Sequence, residues 1–522
     1  MAMKRILLIA GAVLLAGSLA VQAASKPNIV LILVDDMGYS DLGCFGSEIE
    51  TPNIDRLAAG GVRFANFTNC AKCETSRATL MTGRYHTELN LGKTSITIPE
   101  SLALAGYQSF ALGKWHIFDT PMKRGFDRYF GFLEGASNFF TGEGTQGGWS
   151  YRLDDEVFND FPEDFYSTHA FTDYGIRFIE ERDKERPFFM YMAYNAPHYP
   201  LQAPKADVMK YRGKYKEGWG KLRESRFARM KELGIVDATT GTPGDDWGVG
   251  GWNGLSDAAK DDMDLRMATY AAMIDIVDQQ VGRLIETLKS EAIYDNTLIV
   301  FLSDNGACPF DRTRTPTKEN NYMPWDGRSY WCYPAAWAKA CNTPFKEFKQ
   351  SQYEGGISTP LIAHWPNGIT VPGALDRQRG HLVDLHATFR ELAGVEYPAH
   401  YDRKTKKLEG PEMGPPRGIS LVPAFAGKRR PAHVFLYQNF SNRKTALVHG
   451  DWKLVNYKEL YNLQRDRLEM NDLRDAMPEK FTEMKAAFRR HDDALNDGKT
   501  MKKLTKIMLK EERDQLQESG RK

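Results

Sequence analysis

The sequence predicts an α/β fold built on a large, mostly parallel sheet, and three apolar runs carry that prediction. NIVLILVDD (Asn28 to Asp36) is unbroken Val, Ile and Leu until it meets two carboxylates. PFFMYMAYNAPHYP (Pro187 to Pro200) passes from apolar residues to His198, and NTLIVFLSDNG (Asn296 to Gly306) ends on Asp304 and Asn305. A strand that is apolar at successive positions is buried on both faces, the condition of a parallel sheet covered by helices. Ligands of such sheets gather beyond the carboxyl ends of the strands. Three strands therefore deliver polar groups to one edge.

The elements follow in chain order. Lys4 and Arg5 precede an apolar stretch from Ile6 to Val21, and VQAAS offers small residues for cleavage after Ala23. This reads as a cleaved secretory signal over 1–23, so the mature chain is expected in the periplasm or outside the cell. No cysteine stands at the cleavage point for lipid attachment, and no second long apolar segment predicts stable membrane insertion. TPNIDRLAAGG (Thr51 to Gly61) has an N-cap-like Thr51 followed by Pro and closes on glycines, a helix signature. DLRMATYAAMIDIVDQQVGRLIETLKS (Asp264 to Ser290) has helical apolar spacing and leads into the Asn296 strand. The resulting βα alternation assigns 24–395 to the main domain.

Pro, Gly and charged residues accumulate from Pro372 to Gly414 and predict loops. HVFLYQN, KTALVHGDWKLVNY and ELYNL then read as short strands of a small antiparallel sheet between Gly418 and about Leu473. A smaller α+β subdomain is assigned to 396–478 and charged helices to 479–522. Gly241 to Gly254 reads as a glycine-rich loop.

Bulk properties exclude some functions. Lys+Arg total 69 against 68 Asp+Glu, a balance that argues against a nucleic-acid partner. Six cysteines in 522 residues do not make a disulfide scaffold, although export would permit Cys332 to pair with Cys341, or Cys308 to join them. The pairing of these three, and of Cys44 and Cys70, stays open. Cys70 and Cys73 form a C-x-x-C, but no second ligand pair at suitable spacing completes a zinc site.

Four residues point to a hard cation. Asp35 and Asp36, adjacent at the end of a buried strand, repel each other unless a positive charge intervenes. Asp304 and Asn305 end a second strand, and oxygen-only ligation favours calcium or magnesium. Either pair alone also fits a turn or a helix cap. CETSRATLMTGR, from Cys73 to Arg84, reads as a helix with Cys73 at its N-terminus, where the dipole favours an anion and a thiolate nucleophile is one reading. Arg77 lies one turn on and could reach the same group. Lys114 and His116 share a face if extended, His198 sits between prolines, and Lys349 precedes the glycines of QSQYEGG. Singly, each of these also fits a surface or capping residue.

Together these segments resemble the formylglycine-dependent sulfatases of the alkaline-phosphatase-like superfamily. The family signature C-x-P-S-R-A-x-L-x-T-G-R is matched by CETSRATLMTGR. PNIVLILVDDMGYSDLGCFG, TPNIDRLAAGGVRF, GKWH, NAPHYP, FLSDNGAC, EGGISTPLIAHWP, HLVDLHATFRELAG, GISLVP, GDWKLV and ELYNL follow in family order, and the chain looks most like the bacterial arylsulfatase branch. The resemblance implies that a maturation enzyme converts Cys73 to formylglycine, whose hydrate attacks the sulfur of a sulfate monoester and later expels sulfate. It implies a calcium ion held by Asp35, Asp36, Asp304 and Asn305 with the converted Cys73 beside it. Arg77, Lys114 and His116 would position the nucleophile, and His198 and Lys349 would contact the sulfate, His198 protonating the leaving oxygen. Thr75 stands where the family has proline. Two alternatives share the fold: a phosphodiesterase or phosphonate monoester hydrolase, and an unconverted relative that binds sulfated glycans. A thiol hydrolase or redox protein is a third, in which Cys70 would matter as much as Cys73. Trp247, Trp252, Trp325 and Trp331 either rim the pocket for aryl or sugar rings or pack the loops that carry them.

Overall fold

The computed structural model describes residues 26–88, 90–148, 150–241, 251–441, 444–507 and 510. The expected signal segment lies outside them, as do Trp247 and most of the Gly241 to Gly254 stretch. Among the described residues no helix is long and apolar enough to cross a membrane.

The three apolar runs are neighbouring strands. Asn28–Val34 lies between Phe188–Ala193 and Thr297–Ser303, parallel to both, with Ile29 opposite Phe189 on one side and Leu298 on the other. Gln108–Lys114 continues the parallel set beyond Phe188–Ala193, followed by Arg128–Phe132. The other flank turns antiparallel, with Ser358–His364 pairing both Thr297–Ser303 and Val62–Thr68. Among the described residues this sheet has eleven strands, mixed but mostly parallel in its middle.

The unbroken hydrophobicity has the expected cause. Val30, Ile32 and Val34 pack into the core on one face, with Ala271, Met273 and Ile274 of the long Asp257–Ser290 helix. Ile29, Leu31 and Leu33 pack on the other face, with Leu80 and Met81 of the Cys73–Thr82 helix and Phe389 of Val383–Ala393. Each such side chain contributes about 1.5–3 kcal/mol by leaving water, so a polar substitution on either face destabilises the frame that aligns the strand ends.

Some local expectations are corrected. Pro52–Ala59 is helical with Pro at its start, but the Thr51 side chain makes no capping bond. Asp278 of the long helix caps it instead, accepting from the backbone N–H groups of Asn53 (3.2 Å) and Ile54 (2.8 Å). The segment expected to be loops also holds regular structure. Ala374–Asp376 and Gly380–His381 pair with the Val62–Thr68 strand, and His400–Asp402 pairs with Lys407–Glu412 in a hairpin. No disulfide joins Cys332 to Cys341 or Cys308, and none of the six cysteines is disulfide-bonded. Cys341 closes the Ala335–Cys341 helix inside the core, whereas Cys332 and Cys308 line a cavity beside Asp36.

The C-terminal strands Phe435–Ser441, Lys444–His449, Trp452–Val455 and Glu459–Asn462 form the anticipated antiparallel sheet. The Pro478–Asn496 helix buries Met484, Ala487 and Phe488 against it. Lys453, wholly buried, ties this small sheet to Glu354 (2.8 Å), which immediately precedes the Ser358–His364 strand of the large sheet, and also pairs with Glu469 (2.7 Å), beyond the last strand of the small one.

Candidate active site

Four adjacent parallel strands end at one place, and each contributes chemistry there. Asp35 and Asp36 follow Asn28–Val34, Asp304 and Asn305 follow Thr297–Ser303, His198 follows Phe188–Ala193, and Lys114 ends its own strand. Backbone bonds lock these ends together, from Asp304 N to Val34 O (3.1 Å) and from Asp35 N to Ala196 O (3.1 Å). Asp36 has φ +67°, a left-handed conformation that an L-residue adopts at a cost and that turns its carboxylate out of line with the strand. Gly306 next to Asn305 is needed for close approach, since a Cβ there would lie 2.1 Å from Gly355 O. That contact brings the Lys349 loop against the strand end.

The charged groups interlock. Lys114 Nζ donates to Asp35 Oδ2, and both side chains are fully buried. Lys349 Nζ donates to Asp36 Oδ1 at 2.5 Å, and Asn305 Nδ2 donates to the same oxygen at 2.6 Å. Arg77, buried on the first turns of the Cys73 helix, donates through Nε to Asp304 Oδ2 (2.9 Å) and through Nη1 to Lys114 O (2.7 Å). Its Nη2 stands 3.7 Å from Asp35 Oδ2. Cys73, nearly buried, opens the Cys73–Thr82 helix within electrostatic reach of Arg77 and Lys349. Thr75 sits in the first helical turn, where backbone N–H groups have no intrahelical partner, so the backbone there suits proline and threonine alike. Its hydroxyl donates to Lys72 O at 2.8 Å.

His198 donates Nδ1–H to Tyr199 O (2.7 Å), which leaves Nε2 as an acceptor 3.5 Å from Asp36 Oδ2. Burial lowers its pKa to about 4 against the pull of Asp35 and Asp36. His116 takes φ +54° and faces Gly135, and burial together with Lys114 and Arg77 lowers it to about 2. The shared face expected of Lys114 and His116 is not observed, because the strand ends at Lys114 and the backbone then turns.

The donor set fits a hard cation. Asp35 Oδ1, Asp36 Oδ2, Asp304 Oδ1 and Asn305 Oδ1 are each buried with no hydrogen-bond partner. An unsatisfied buried acceptor costs roughly 1–3 kcal/mol, and four together call for a shared positive partner. Oxygens of Asp35 and Asp36 and a ring nitrogen of His198 lie within 4.8 Å of one another. Burial opposes ionisation of Asp35, yet Lys114, His198, Arg77 and Lys349 together hold its carboxyl well below the usual range. Burial, with Asp35 adding to it, pushes Asp304 up to about 7. The third carboxylate thus keeps an affinity for positive charge that Arg77 and Lys114 leave unmet.

Several residues went unnoticed in the sequence. Phe310 and Tyr199 line the cavity beside Asp36 together with Cys308, Cys332 and Tyr333. Their only signal was position, a few residues beyond strand ends already marked. Two of the four tryptophans pack inward: Trp252 stacks edge-on against Trp219 and Trp337, and Trp331 is buried with its N–H on Tyr322 O. Trp325 is half-buried, 5.5 Å beneath the Lys205 ammonium.

Comparison with known proteins bears on this arrangement. The sulfatase family model matches residues 27–395. An uncharacterised sulfatase of Schizosaccharomyces pombe is 32% identical, covering 88% of this chain and 92% of its own. An arylsulfatase of Klebsiella aerogenes is 32% identical, covering 82% of this chain and 98% of its own. Among solved structures, Ps i-CgsB in complex with k-i-k-neocarrahexaose is 28% identical with a TM-score of 0.61, over 88% of this chain and 91% of that one.

Proposed function

This chain belongs to the sulfatase family and is a sulfuric ester hydrolase, and on that premise we propose that it is an exported enzyme cleaving sulfate monoesters of carbohydrates or aryl alcohols at the site formed around Cys73. The observation that carries the reading is the convergence of four unsatisfied buried oxygens with three cationic side chains beside that residue. Calcium, or magnesium in its place, would be held by Asp35, Asp36, Asp304 and Asn305 and lend positive charge to sulfate oxygens, while formylglycine made from Cys73 would supply the hydrated aldehyde as nucleophile.

The chain's own residues do the rest. Asp35, Asp36 and Asp304 already meet Lys114, Lys349 and Arg77, so any further positive charge leaves the site with a surplus that draws an anionic ester. Lys349 would hold a sulfate oxygen, and its charged form is secure because Asp36 and the other acidic groups around it together outweigh the burial that opposes it. Arg77 and Lys114 orient the position of Cys73, each fixed by a buried carboxylate. His198 presents Nε2 to the same space. An arriving sulfate adds negative charge there, raises the ring's proton affinity and suits it to protonate the leaving oxygen. His116 would help position the nucleophile from the turn after Lys114.

Export rests on the signal-like segment over 1–23, and the maturation partner on the signature around Cys73. The division at 395, with a subdomain over 396–478 and helices over 479–522, completes the reading. Turnover of a sulfate monoester against a phosphate diester, before and after chelation and calcium addition, tests it. Sulfate release that chelation abolishes and calcium restores is expected; a preference for the diester overturns the assignment.

A further inference from the structure

The cavity next to Asp36 has a wall and rim that the sulfate chemistry does not use. Phe310 and Tyr199, both half-buried, line it, and Tyr333 presents a buried hydroxyl with no hydrogen-bond partner. The exposed Arg312 guanidinium sits over the Phe310 ring, 5.4 Å from its centroid. Among the described residues no carboxylate lies within 4.0 Å of Arg312, whereas neighbouring Arg266 is taken by Asp262 (2.7 Å) and Asp311 (3.2 Å). Arg314 is also committed: it lies 3.6 Å over the Tyr330 ring and donates to Thr145 O. Tyr330 in turn stands 6.2 Å from Tyr199.

An aromatic face binds the apolar C–H face of a ring, and an arginine beside it recognises a planar or tetrahedral oxyanion through forked N–H donors. We propose that this rim is a subsite for a sugar ring carrying a second anionic group, with Phe310 and Tyr199 as the ring platform and Arg312 as the partner of the second sulfate or carboxylate. The proposal rests on the sulfatase reading for the first sulfate, which the strand-end site around Cys73 would hold. It makes polyanionic carbohydrate the preferred substrate class and simple aryl sulfates poorer ligands.

The test uses the calcium-loaded Cys73→Ala protein and two sugars that differ only in the substituent on nitrogen, anionic in N-sulfo-D-glucosamine 6-O-sulfate and neutral in N-acetyl-D-glucosamine 6-O-sulfate, with affinity measured by calorimetry. The N-sulfo sugar is expected to bind about tenfold more tightly, the value of one charge-assisted hydrogen bond. Arg312→Ala on the same background should cut that preference below about threefold, and Phe310→Ala should weaken both sugars together. Equal affinities in the parent, or a preference that survives Arg312→Ala, would overturn the proposal. Failure of the sulfatase reading is separate: the unsubstituted protein would then bind the sugars with the same Arg312 dependence but release no sulfate.

Discussion

Replacing Lys114 by methionine tests the electrostatics of the site. Lys114 Nζ is fully buried and donates to the equally buried Asp35. Removing one partner of such a pair typically costs about 3–5 kcal/mol, because the remaining charge is stranded. Arg77 Nη2, 3.7 Å from the same Asp35 oxygen, retains part of the compensation, so about 3 kcal/mol is expected in the calcium-free protein. With calcium bound the sum changes, since the ion takes over neutralisation of Asp35. The substituted site carries one more net negative charge and should bind calcium about tenfold more tightly, which returns roughly 1.4 kcal/mol. The assay is urea unfolding in chelator and in saturating calcium, alongside calorimetric calcium titration. Lys114→Met should lose about 3 kcal/mol without calcium and about half of that with it, while sulfate release falls. An equal loss in both conditions, or weaker calcium binding, would refute the placement of the cation at Asp35.

Cys70→Ser should keep sulfate release within about threefold while Cys73→Ala abolishes it, because Cys70 Sγ is buried against Thr79 Oγ1 and His381 Nε2. Equal losses would restore the paired-cysteine reading. Gly306→Ala should cost about 1–3 kcal/mol and lower turnover as well, since the new Cβ meets Gly355 O at 2.1 Å and pushes the Lys349 loop away; unchanged unfolding and turnover would contradict it. Glu469→Gln probes the joint to the C-terminal sheet. Burial and Glu354 raise Glu469 to about 7 against Lys453, so the folded state holds a proton that the unfolded chain, at 4.5, releases. The stability this contributes is full below about pH 4.5 and is lost as pH rises through about 7. The neutral glutamine should therefore flatten the decline in urea midpoint over that window, and a slope identical to the parent's would contradict the account.

The sequence carried the frame and most of the candidate site because both were encoded locally. A strand apolar at every position reports burial on both faces, as Ile29 to Val34 do, and the polar residue that ends it reports the ligand edge. Cys73 was legible for a similar reason, since the absence of proline and the closing Gly83 delimit one helix. What was not legible depends on partners far apart in the chain. Asp278 caps a helix more than two hundred residues upstream, and Lys453 pairs with Glu354 across a fold boundary. Neither contact leaves a mark in a short window. The unpaired Cys332 and Cys341 teach the same lesson: nearness in sequence left their pairing open, whereas in the fold one faces a cavity and the other the core. The rim formed by Tyr199, Phe310 and Arg312 needed two loops to be brought together before any of its members stood out.

The central claim is that Cys73 is a precursor and that its thiol is gone in the working enzyme. Mass spectrometry of the peptide spanning Cys73, taken from protein purified from its own host and releasing sulfate, tests that most directly. The account predicts the formylglycine mass at Cys73 despite Thr75 in the proline position. An intact thiol in every molecule of a preparation that still releases sulfate would contradict it.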